Sequence, residues 1–453
     1  MKTERAAALR RAGRGKVISR RGFLRVSAGT TVVAGLAACA PAAAPSSTGA
    51  PAEAPAAPEQ EMHDLIYWND LTGPDGEIQQ ALVDRYNDGP GKEAGVQITF
   101  EIYPGDTLFT KNMAAYGAGN PIDILRASAP QTNLMVGNQM LVPLDDVMTE
   151  AGLDWGDFYP SPLEAFTIDG SRYSIPQEVS NYTIFFNTDQ AEAAGLDVEN
   201  FPSDRDEFID WVQAVTERDG DQYDVVGLVI PGSGGLPFRW WFQLVYQFGG
   251  SLLTEDYSQA SFNNDAGGSA CQFILDCFDT YKISSRDILD ARRAFMSLYG
   301  SIIQDGAWMS PAFAEQEGLS FDSALVPVIG NELFSYAITM AGVIIRHDPE
   351  EAGRVEACAH FLKWMSDDPT WNIEVPTVPV RQSIGEMEEL QAIPYMKPFI
   401  DLVPYGIEAP PIAAFGEIRG RIVEILDSVW ATDLSVTDGL ARAEEQVNDI
   451  LAG

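Results

Sequence analysis

The sequence predicts an α/β fold made of two lobes. Its 453 residues are enough for two or three domains with substantial cores. Short apolar runs suited to strands alternate with segments of helical periodicity, and the alternation starts again after Pro176. Such alternation favours βαβ units, with a mostly parallel sheet covered by helices on both faces.

The first series of elements follows His63. Ile78, Leu82 and Val83 recur at helical spacing, and β-branched residues alternate with polar ones in the next apolar run. The pattern predicts three strands with two helices between them, at Leu65–Trp68, Glu77–Tyr86, Val96–Ile102, Leu108–Tyr116 and Ile122–Leu125.

The second series follows Pro176. It predicts a strand at Thr183–Phe186, a helix at Asp204–Thr216 and a strand at Val225–Ile230. No internal repeat is evident, and no long structureless insertion interrupts this part of the sequence. Two α/β lobes are therefore the simplest organisation for the region after residue 62.

The amino end is typical of an export signal. Residues 1–38 carry nine basic groups and one acid, and an apolar run from Val26 to Ala38 follows the basic part. This run would span only about 20 Å as a helix, which disfavours a transmembrane anchor. Ser19–Arg25 (SRRGFLR) resembles the twin-arginine export motif, and Leu36–Cys39 (LAAC) resembles a lipobox, in which Cys39 is lipidated.

Residues 39–62 are predicted to be a tether. They are rich in Ala and Pro, a composition that cannot form a core and favours extended structure. Lipid chains on Cys39 would bury methylene groups at about 0.8 kcal/mol each, which suffices for stable anchoring. The sequence thus predicts a protein held at the outer face of the cell membrane through its lipid alone.

The charge balance narrows the range of partners. The whole chain has 29 basic and 66 acidic residues, and without residues 1–38 the balance is 20 against 65. Such an acidic protein would be repelled by nucleic acid and by anionic membrane surfaces. We therefore expect no nucleic-acid partner.

The motifs that mark common enzyme classes are not present. The sequence has no P-loop, no Gly-x-Ser-x-Gly elbow and no zinc-type pair of histidines, and its three histidines are scattered. We expect no catalytic residue, no cofactor and no metal. Cys271 and Cys277 lie six residues apart in a helical segment, too far for a disulfide, whereas Cys358 pairing with one of them and three buried free thiols both stay open.

The order of several motifs resembles a known family, the extracellular solute-binding proteins of ATP-binding-cassette importers, in particular the sugar-binding, maltose-like branch. The likeness extends from about residue 63 to 450. The segments that carry it include Ile66–Asp70, Pro121–Leu125, Asp169–Pro176, Asp305–Trp308 and Ala359–Ser366.

The resemblance implies a two-lobed, periplasmic-binding-protein-like fold that closes on its ligand about crossing hinge strands. Carried over by order, one lobe takes residues 63–175 and 323–372, and the other takes 176–322 and 373–453. The cleft would lie at the carboxyl ends of strands, as in other open α/β sheets.

The resemblance also places candidate ligand-binding residues, of types that suit sugars. Carboxylates, amides and arginines bind hydroxyl groups, and aromatic rings cover the apolar ring faces. The candidates are Trp68, Asn69, Asp70, Arg126, Ser128, Glu178, Arg239, Trp240, Trp241, Trp308 and Phe415. Of Trp240 and Trp241, we expect one to face the cleft and the other the core.

The resemblance therefore implies a monomeric binding protein that captures a mono- or oligosaccharide and delivers it to an importer permease. Arg126 and Arg239 leave an anionic or phosphorylated ligand open. The alternatives are a protein that binds a non-sugar solute such as a glycerol phosphoester or an amino compound, a sensor or adhesin with the same fold, and an extracytoplasmic glycoside hydrolase. The hydrolase would need two carboxylates about 5–10 Å apart over one cleft.

Overall fold

A computed structural model describes residues 62–375 and 377–453. The export motif, Cys39 and nearly all of the predicted tether lie outside the described residues. The strands in the described part of the chain are β1 (His63–Asn69), β2 (Val96–Ile102), β3 (Ile124–Ser128), β4 (Thr167–Ile168), β5 (Ser171–Arg172), β6 (Ser174–Asn187), β7 (Glu217–Asp219), β8 (Gln222–Leu228), β9 (Gly300–Gly306), β10 (Phe321–Ala324), β11 (Ser335–Ile344) and β12 (Gly406–Ile407).

Helices connect and cover these strands, joined by short 3₁₀ turns at Trp155–Asp157, Ala307–Met309 and Val403–Tyr405. The α-helices are α1 (Pro74–Asp88), α2 (Pro90–Ala94), α3 (Gly105–Gly117), α4 (Ala129–Gly137), α5 (Asp145–Glu150), α6 (Pro160–Glu164), α7 (Thr188–Ala193), α8 (Arg205–Val215), α9 (Gly235–Gln247), α10 (Asp265–Asp279), α11 (Ala291–Met296), α12 (Ser310–Glu315), α13 (Arg354–Asp367), α14 (Thr370–Glu374), α15 (Gln382–Gly385), α16 (Glu388–Gln391), α17 (Lys397–Asp401), α18 (Phe415–Trp430) and α19 (Val436–Ala452).

The main sheet has the strand order β2-β1-β3-β11-β6-β9-β8-β7. Strand β10 pairs with β6, β12 pairs with β11, and β4 and β5 form a separate hairpin. Pairing is parallel between β1 and its two neighbours and between β8 and β9, but antiparallel along β3-β11-β6-β9. The expectation of a mostly parallel sheet is therefore wrong, because the two central strands run against their neighbours.

Two long strands, β6 and β11, connect the two halves of the sheet. The first part of β6, from Ser174 to Asn181, pairs with β11, and its last part, from Tyr182 to Phe186, pairs with β9. Strand β11 in turn pairs with β3 through residues 340–344. The fold class is confirmed, and the exact lobe boundaries stay a prediction.

Local sequence patterns account for most of the predicted elements. The strand predicted at Val96–Ile102 is β2 itself, and the strand and helix predicted around Trp68 and Tyr86 lie inside β1 and α1. Helix α8 begins after Asp204, whose carboxylate caps the backbone of Asp206 and Glu207, and it buries Phe208, Trp211 and Val215 at helical spacing. The strands predicted at Ile122–Leu125 and Val225–Ile230 are displaced by two to three residues.

The core is aromatic and aliphatic throughout, and it contains the three described cysteines. Cys271, Cys277 and Cys358 are buried free thiols, which resolves the alternative of a disulfide. Burial raises the pKa of each thiol above its ordinary value. Among the described residues, no helix has both the length and the apolar character needed to cross a bilayer.

Candidate functional site

The large cavity of the protein lies where the two halves of the sheet meet. Its volume is about 710 Å³. Strand β3 contributes its last residue, Ser128, while β6 contributes Tyr182 and β11 contributes Tyr336, Ile338 and Thr339. The first residues of α4, α9 and α18 and the segment around Glu408 complete the wall. A cavity of this size accepts a ligand of a few sugar rings or a comparable solute.

Aromatic rings form much of the wall. Tyr182 and Tyr336 pack at 5.5 Å between ring centroids, and Phe109 and Phe415 line the same cavity. Trp308, another predicted ligand-binding residue, packs edge-on against Tyr182 at 5.4 Å and is not among the residues that line this cavity. Flat rings of this kind match the apolar C–H faces of a sugar, and the tyrosine hydroxyls are hydrogen-bonding groups.

A carboxylate, Glu408, is held at the wall by Thr339. It accepts hydrogen bonds from the backbone N–H of Thr339 at 3.0 Å and from the Thr339 hydroxyl. Burial raises the pKa of this carboxyl group, and the two bonds from Thr339 partly offset that effect. Glu408, which follows β12, is thus held against the crossing strand β11.

The structure places three of the predicted ligand-binding residues in this cavity. Ser128 lies at the amino end of α4, where its backbone N–H donates to Gln131 at 3.0 Å in a capping box. Arg239 lies in the second turn of α9, and Phe415 is the first residue of α18. Their role in ligand binding remains a prediction.

Three other predicted residues bind one another instead. Arg126 donates through Nη1 to Asp70 Oδ1 at 2.5 Å and through Nη2 to Glu178. Trp371 Nε1 donates to the second oxygen of Glu178 at 2.8 Å. Arg126 and Glu178 line a separate, nearly closed cavity with Gln79 and Trp371. Inside the protein, the two side chains satisfy each other's charge.

Four of the predicted residues are buried in the core, namely Trp68, Asn69, Trp240 and Trp241. Asn69 is buried, binding the Tyr67 hydroxyl and the backbone N–H of Asp70 and Leu71, and Trp68 packs on Tyr103 and Lys111.

Trp240 and Trp241 are both fully buried. This differs from the expectation that one of them faces the cleft, and the reason is that α9 is covered by packed elements on both sides of that pair. Trp241 packs on Phe262 and donates to the Gly267 carbonyl.

Several residues of the cavity wall are not among those predicted from the sequence, namely Phe109, Tyr182, Tyr336, Thr339, Glu408 and Arg419. Tyr182 and Tyr336 lie on the two long central strands, so their aromatic rings beside a predicted crossover were the available signal. Glu408 and Arg419 lie beyond residue 400 and meet the other groups only through the tertiary fold.

Comparison with known proteins finds similarity to solute-binding proteins. Residues 69–282 match the model of the bacterial extracellular solute-binding protein family. The chain is 27% identical over 158 residues to the sn-glycerol-3-phosphate-binding periplasmic protein UgpB of Pectobacterium atrosepticum, over 34% of this chain and 35% of that protein. It is 24% identical over 225 residues to an arabinooligosaccharide-binding protein of Halalkalibacterium halodurans, over 49% of this chain and 47% of that protein. The alignments therefore span less than half of each of these two relatives.

Solved structures share the fold over nearly their whole length. The cyclic alpha-maltosyl-1,6-maltose binding protein of Arthrobacter globiformis superposes with a TM-score of 0.73 at 24% identity, over 86% of this chain and 99% of that one. UgpB from Mycobacterium tuberculosis, in complex with glycerophosphocholine, superposes with a TM-score of 0.74 at 16% identity, over 86% and 98%. At these identities the likeness concerns the fold.

Proposed function

Because residues 69–282 match the model of the bacterial extracellular solute-binding protein family, we propose that this chain captures a carbohydrate in its large cavity and delivers it to the permease of an ATP-binding-cassette importer. The observation that carries the proposal is the cavity itself. It lies beside two crossing strands and combines Tyr182, Tyr336 and Phe415 with hydrogen-bonding groups. This combination of flat apolar and polar groups suits the two kinds of surface that a sugar presents.

Binding in this proposal changes no covalent bond. Strands β6 and β11 are the connections between the halves of the sheet, and a hinge motion about them would close the cavity on the ligand. The ligand stabilises the closed form in proportion to its preference for that form over the open one. The permease would recognise the closed form, and its ATPase would supply the work of release. We propose that the protein acts as a monomer.

We also propose that the protein is exported by the twin-arginine pathway and anchored at the outer face of the cell membrane through lipidated Cys39. The support is the order of the amino-terminal features: paired arginines at 20 and 21, an apolar run, the LAAC motif and an Ala/Pro-rich segment. Labelling with a radioactive fatty acid tests this proposal. Cys39→Ser is expected to abolish the label, and Arg20→Lys with Arg21→Lys is expected to leave the precursor in the cytoplasm.

A glycerol phosphoester is the second candidate ligand. Two arginines at the cavity wall, Arg239 and Arg419, favour it, since guanidinium groups bind phosphate well. Relatives named for sn-glycerol 3-phosphate add to this candidate.

Calorimetric titration of the purified protein tests the proposed function. The panel should contain neutral and acidic mono- and oligosaccharides, sn-glycerol 3-phosphate, glycerophosphocholine and representative amino acids. We expect a saccharide to bind with a dissociation constant in the micromolar range or tighter. Binding of only phosphoesters or amino acids would replace the proposal, and turnover of a chromogenic glycoside would point to a hydrolase instead.

A further inference from the structure

The charge of the large cavity differs from that of the whole protein. The chain as a whole has a formal net charge of −37. The charged side chains that line the cavity are Arg239, Arg419 and Glu408, so positive groups outnumber negative ones there. Glu408 is moreover engaged by the N–H and hydroxyl of Thr339. A site that is positive within a strongly acidic protein favours a negatively charged ligand group.

Arg239 has no acidic partner among the described residues. Its guanidinium carbon lies 4.1 Å from the centroid of the Tyr182 ring, a cation–π contact that orients the group along the wall. Its Nε atom is buried and has no hydrogen-bond partner. That atom is closed off from the cavity, but the residue as a whole is partly exposed at the cavity wall, where its terminal nitrogens are available to a ligand acceptor.

Arg419 also lacks an acidic partner in the described part of the chain. Its Nη2 lies beside Gly235, the first residue of α9. A Cβ atom added at Gly235 would be 3.0 Å from this nitrogen. Its guanidinium carbon is 5.5 Å from the Phe238 ring. Both arginines act on Tyr336: burial raises the pKa of its hydroxyl to about 12, and the positive charges of Arg419 and Arg239 partly oppose that rise. Arg239 is itself a residue of α9, so both guanidinium groups line the cavity beside the first turns of that helix.

Two helix ends add positive potential at the same place. Helices α9 and α18 have 13 and 16 residues, and their first residues, Gly235 and Phe415, line the cavity. No side chain caps the first turn of either helix. The N–H of Gly234, just before α9, donates to the Asp427 carboxylate at 2.9 Å, and the N–H of Phe415 donates to the Ile412 carbonyl at 3.1 Å. The remaining free N–H groups of the first turns and the helix dipoles attract anions, and here they reinforce two arginine side chains.

We propose that the carbohydrate carries an anionic group, a carboxylate or a phosphate, which binds between Arg239 and Arg419. The inference rests on the proposed function, since it names the class of carbohydrate for the same cavity. In this arrangement the anionic group lies at the guanidinium pair and the amino ends of α9 and α18. The sugar ring then lies against Tyr182, Tyr336 and Phe415.

Matched pairs of ligands test the inference by calorimetry with the full chain. The pairs are glucose with glucuronate, galactose with galacturonate, maltose with maltose 1-phosphate, and glucose with glucose 1-phosphate, with sn-glycerol 3-phosphate as a further arm. We expect the acidic member of at least one pair to bind ten-fold or more tightly than its neutral partner, and its affinity to fall as salt is added. Tight binding of a uronate would identify the anionic group as a carboxylate, and tight binding of a sugar phosphate would identify it as a phosphate.

Two variants and a matched control locate the anion. Arg239→Gln and Arg419→Gln are each expected to weaken binding of the acidic sugar ten-fold or more and to reduce its salt dependence. Arg421→Gln is the control, because Arg421 lies on the same helix as Arg419 but pairs with Glu424 outside the cavity. Thermal unfolding of each variant verifies that it is folded.

The outcomes separate the two proposals. If neutral sugars bind and their acidic partners bind equally tightly or more weakly, the inference is overturned and the proposed function remains intact. Loss of binding in Arg421→Gln equal to that in the two variants would also overturn it. Binding of sn-glycerol 3-phosphate with no saccharide bound would overturn the proposed function and assign the two arginines to a phosphoester. If neither saccharides nor phosphoesters bind, both proposals fail.

Discussion

The guanidinium of Arg126 binds the carboxylate of Glu178 in the protein interior, where each side chain is only 7% exposed. Arg126 belongs to β3 and Glu178 to β6, and the two strands flank β11 in the sheet. The pair therefore connects the β1–β3 half of the sheet to a strand that continues into the other half. Burial disfavours the charged guanidinium, but the carboxylates of Glu178 and Asp70 outweigh it and raise the pKa of Arg126, so the group stays charged.

Removing this arginine should destabilise the protein strongly. Arg126→Met leaves Glu178 buried without its charged partner, and we expect the free energy of unfolding to fall by about 3–5 kcal/mol. Urea unfolding monitored by circular dichroism measures it. The matched control is Arg172→Met, whose pair with Asp145 is one-third exposed on both sides and should cost no more than about 1 kcal/mol. Equal losses in the two variants would contradict a structural role for Arg126.

Two adjacent glycines in α10 should respond in opposite directions to alanine. A Cβ atom at Gly267 would lie 1.9 Å from the carbonyl oxygen of Phe262, whereas nothing lies within 4 Å of one at Gly268. We expect Gly267→Ala to lower the free energy of unfolding by about 1–3 kcal/mol or more, because a backbone atom must move. We expect Gly268→Ala to raise it by about 0.5–1 kcal/mol through helix propensity. Thermal and urea unfolding of both variants decide the point, and two changes of the same sign would refute it.

Trp241 should matter for stability and not directly for ligand binding. Its ring is fully buried against Phe262, and its Nε1 donates to the Gly267 carbonyl at 3.3 Å. Trp241→Phe removes the donor and part of the ring, and we expect a loss of about 1–3 kcal/mol in the free energy of unfolding. The dissociation constant of a bound sugar should change less than two-fold.

Phe415→Ala is the matched contrast, since this ring lines the large cavity. It should weaken sugar binding ten-fold or more. The pair of variants is compared by calorimetry with the sugar that binds in the panel. A ten-fold loss of affinity in Trp241→Phe with an unchanged unfolding temperature would show that this tryptophan contacts the ligand.

The ion pair of Asp279 and Arg286 should make stability depend on pH in the acid range. Arg286 donates to both oxygens of Asp279 at 2.7 Å, and its Nε donates to the Trp430 carbonyl at 2.6 Å. The hydrogen bonds from Arg286 hold the pKa of Asp279 below its usual value. A carboxyl group with a lowered pKa stabilises the folded state at pH values above its unfolded pKa, about 3.9, and that contribution is lost as pH falls through the folded pKa.

The measurement compares the wild type with Asp279→Asn between pH 7 and pH 2. Because Asp279 is half exposed, we expect a difference of no more than about 1 kcal/mol in the free energy of unfolding at pH 7, shrinking toward zero at the acid end. Asp287→Asn is the control, since this exposed residue has no ion pair among the described residues. A difference that grows as pH falls would refute the assignment.

What the sequence determined by itself is local. Spacing of apolar residues and the cap at Asp204 specified β2, α1 and α8 closely, because each of these elements shows one face to the core and its residues alternate with a fixed period. The order of motifs also sufficed for a two-lobed α/β fold. The resemblance placed eleven candidate residues, of which Ser128, Arg239 and Phe415 line the large cavity.

The tertiary structure alone decided which charges and rings meet. Arg126, Asp70 and Glu178 look like ligand-binding groups in the sequence, yet they neutralise one another. Asp70 lies 56 residues from Arg126 along the chain, and Glu178 lies 52 residues from it. Trp240 and Trp241 are both core residues, because burial depends on what packs against each face of α9. Tyr336, Glu408 and Arg419 join the cavity from distant segments for the same reason. A charge or an aromatic ring has no fixed role until its partners are known, and the chain supplies those partners only on folding.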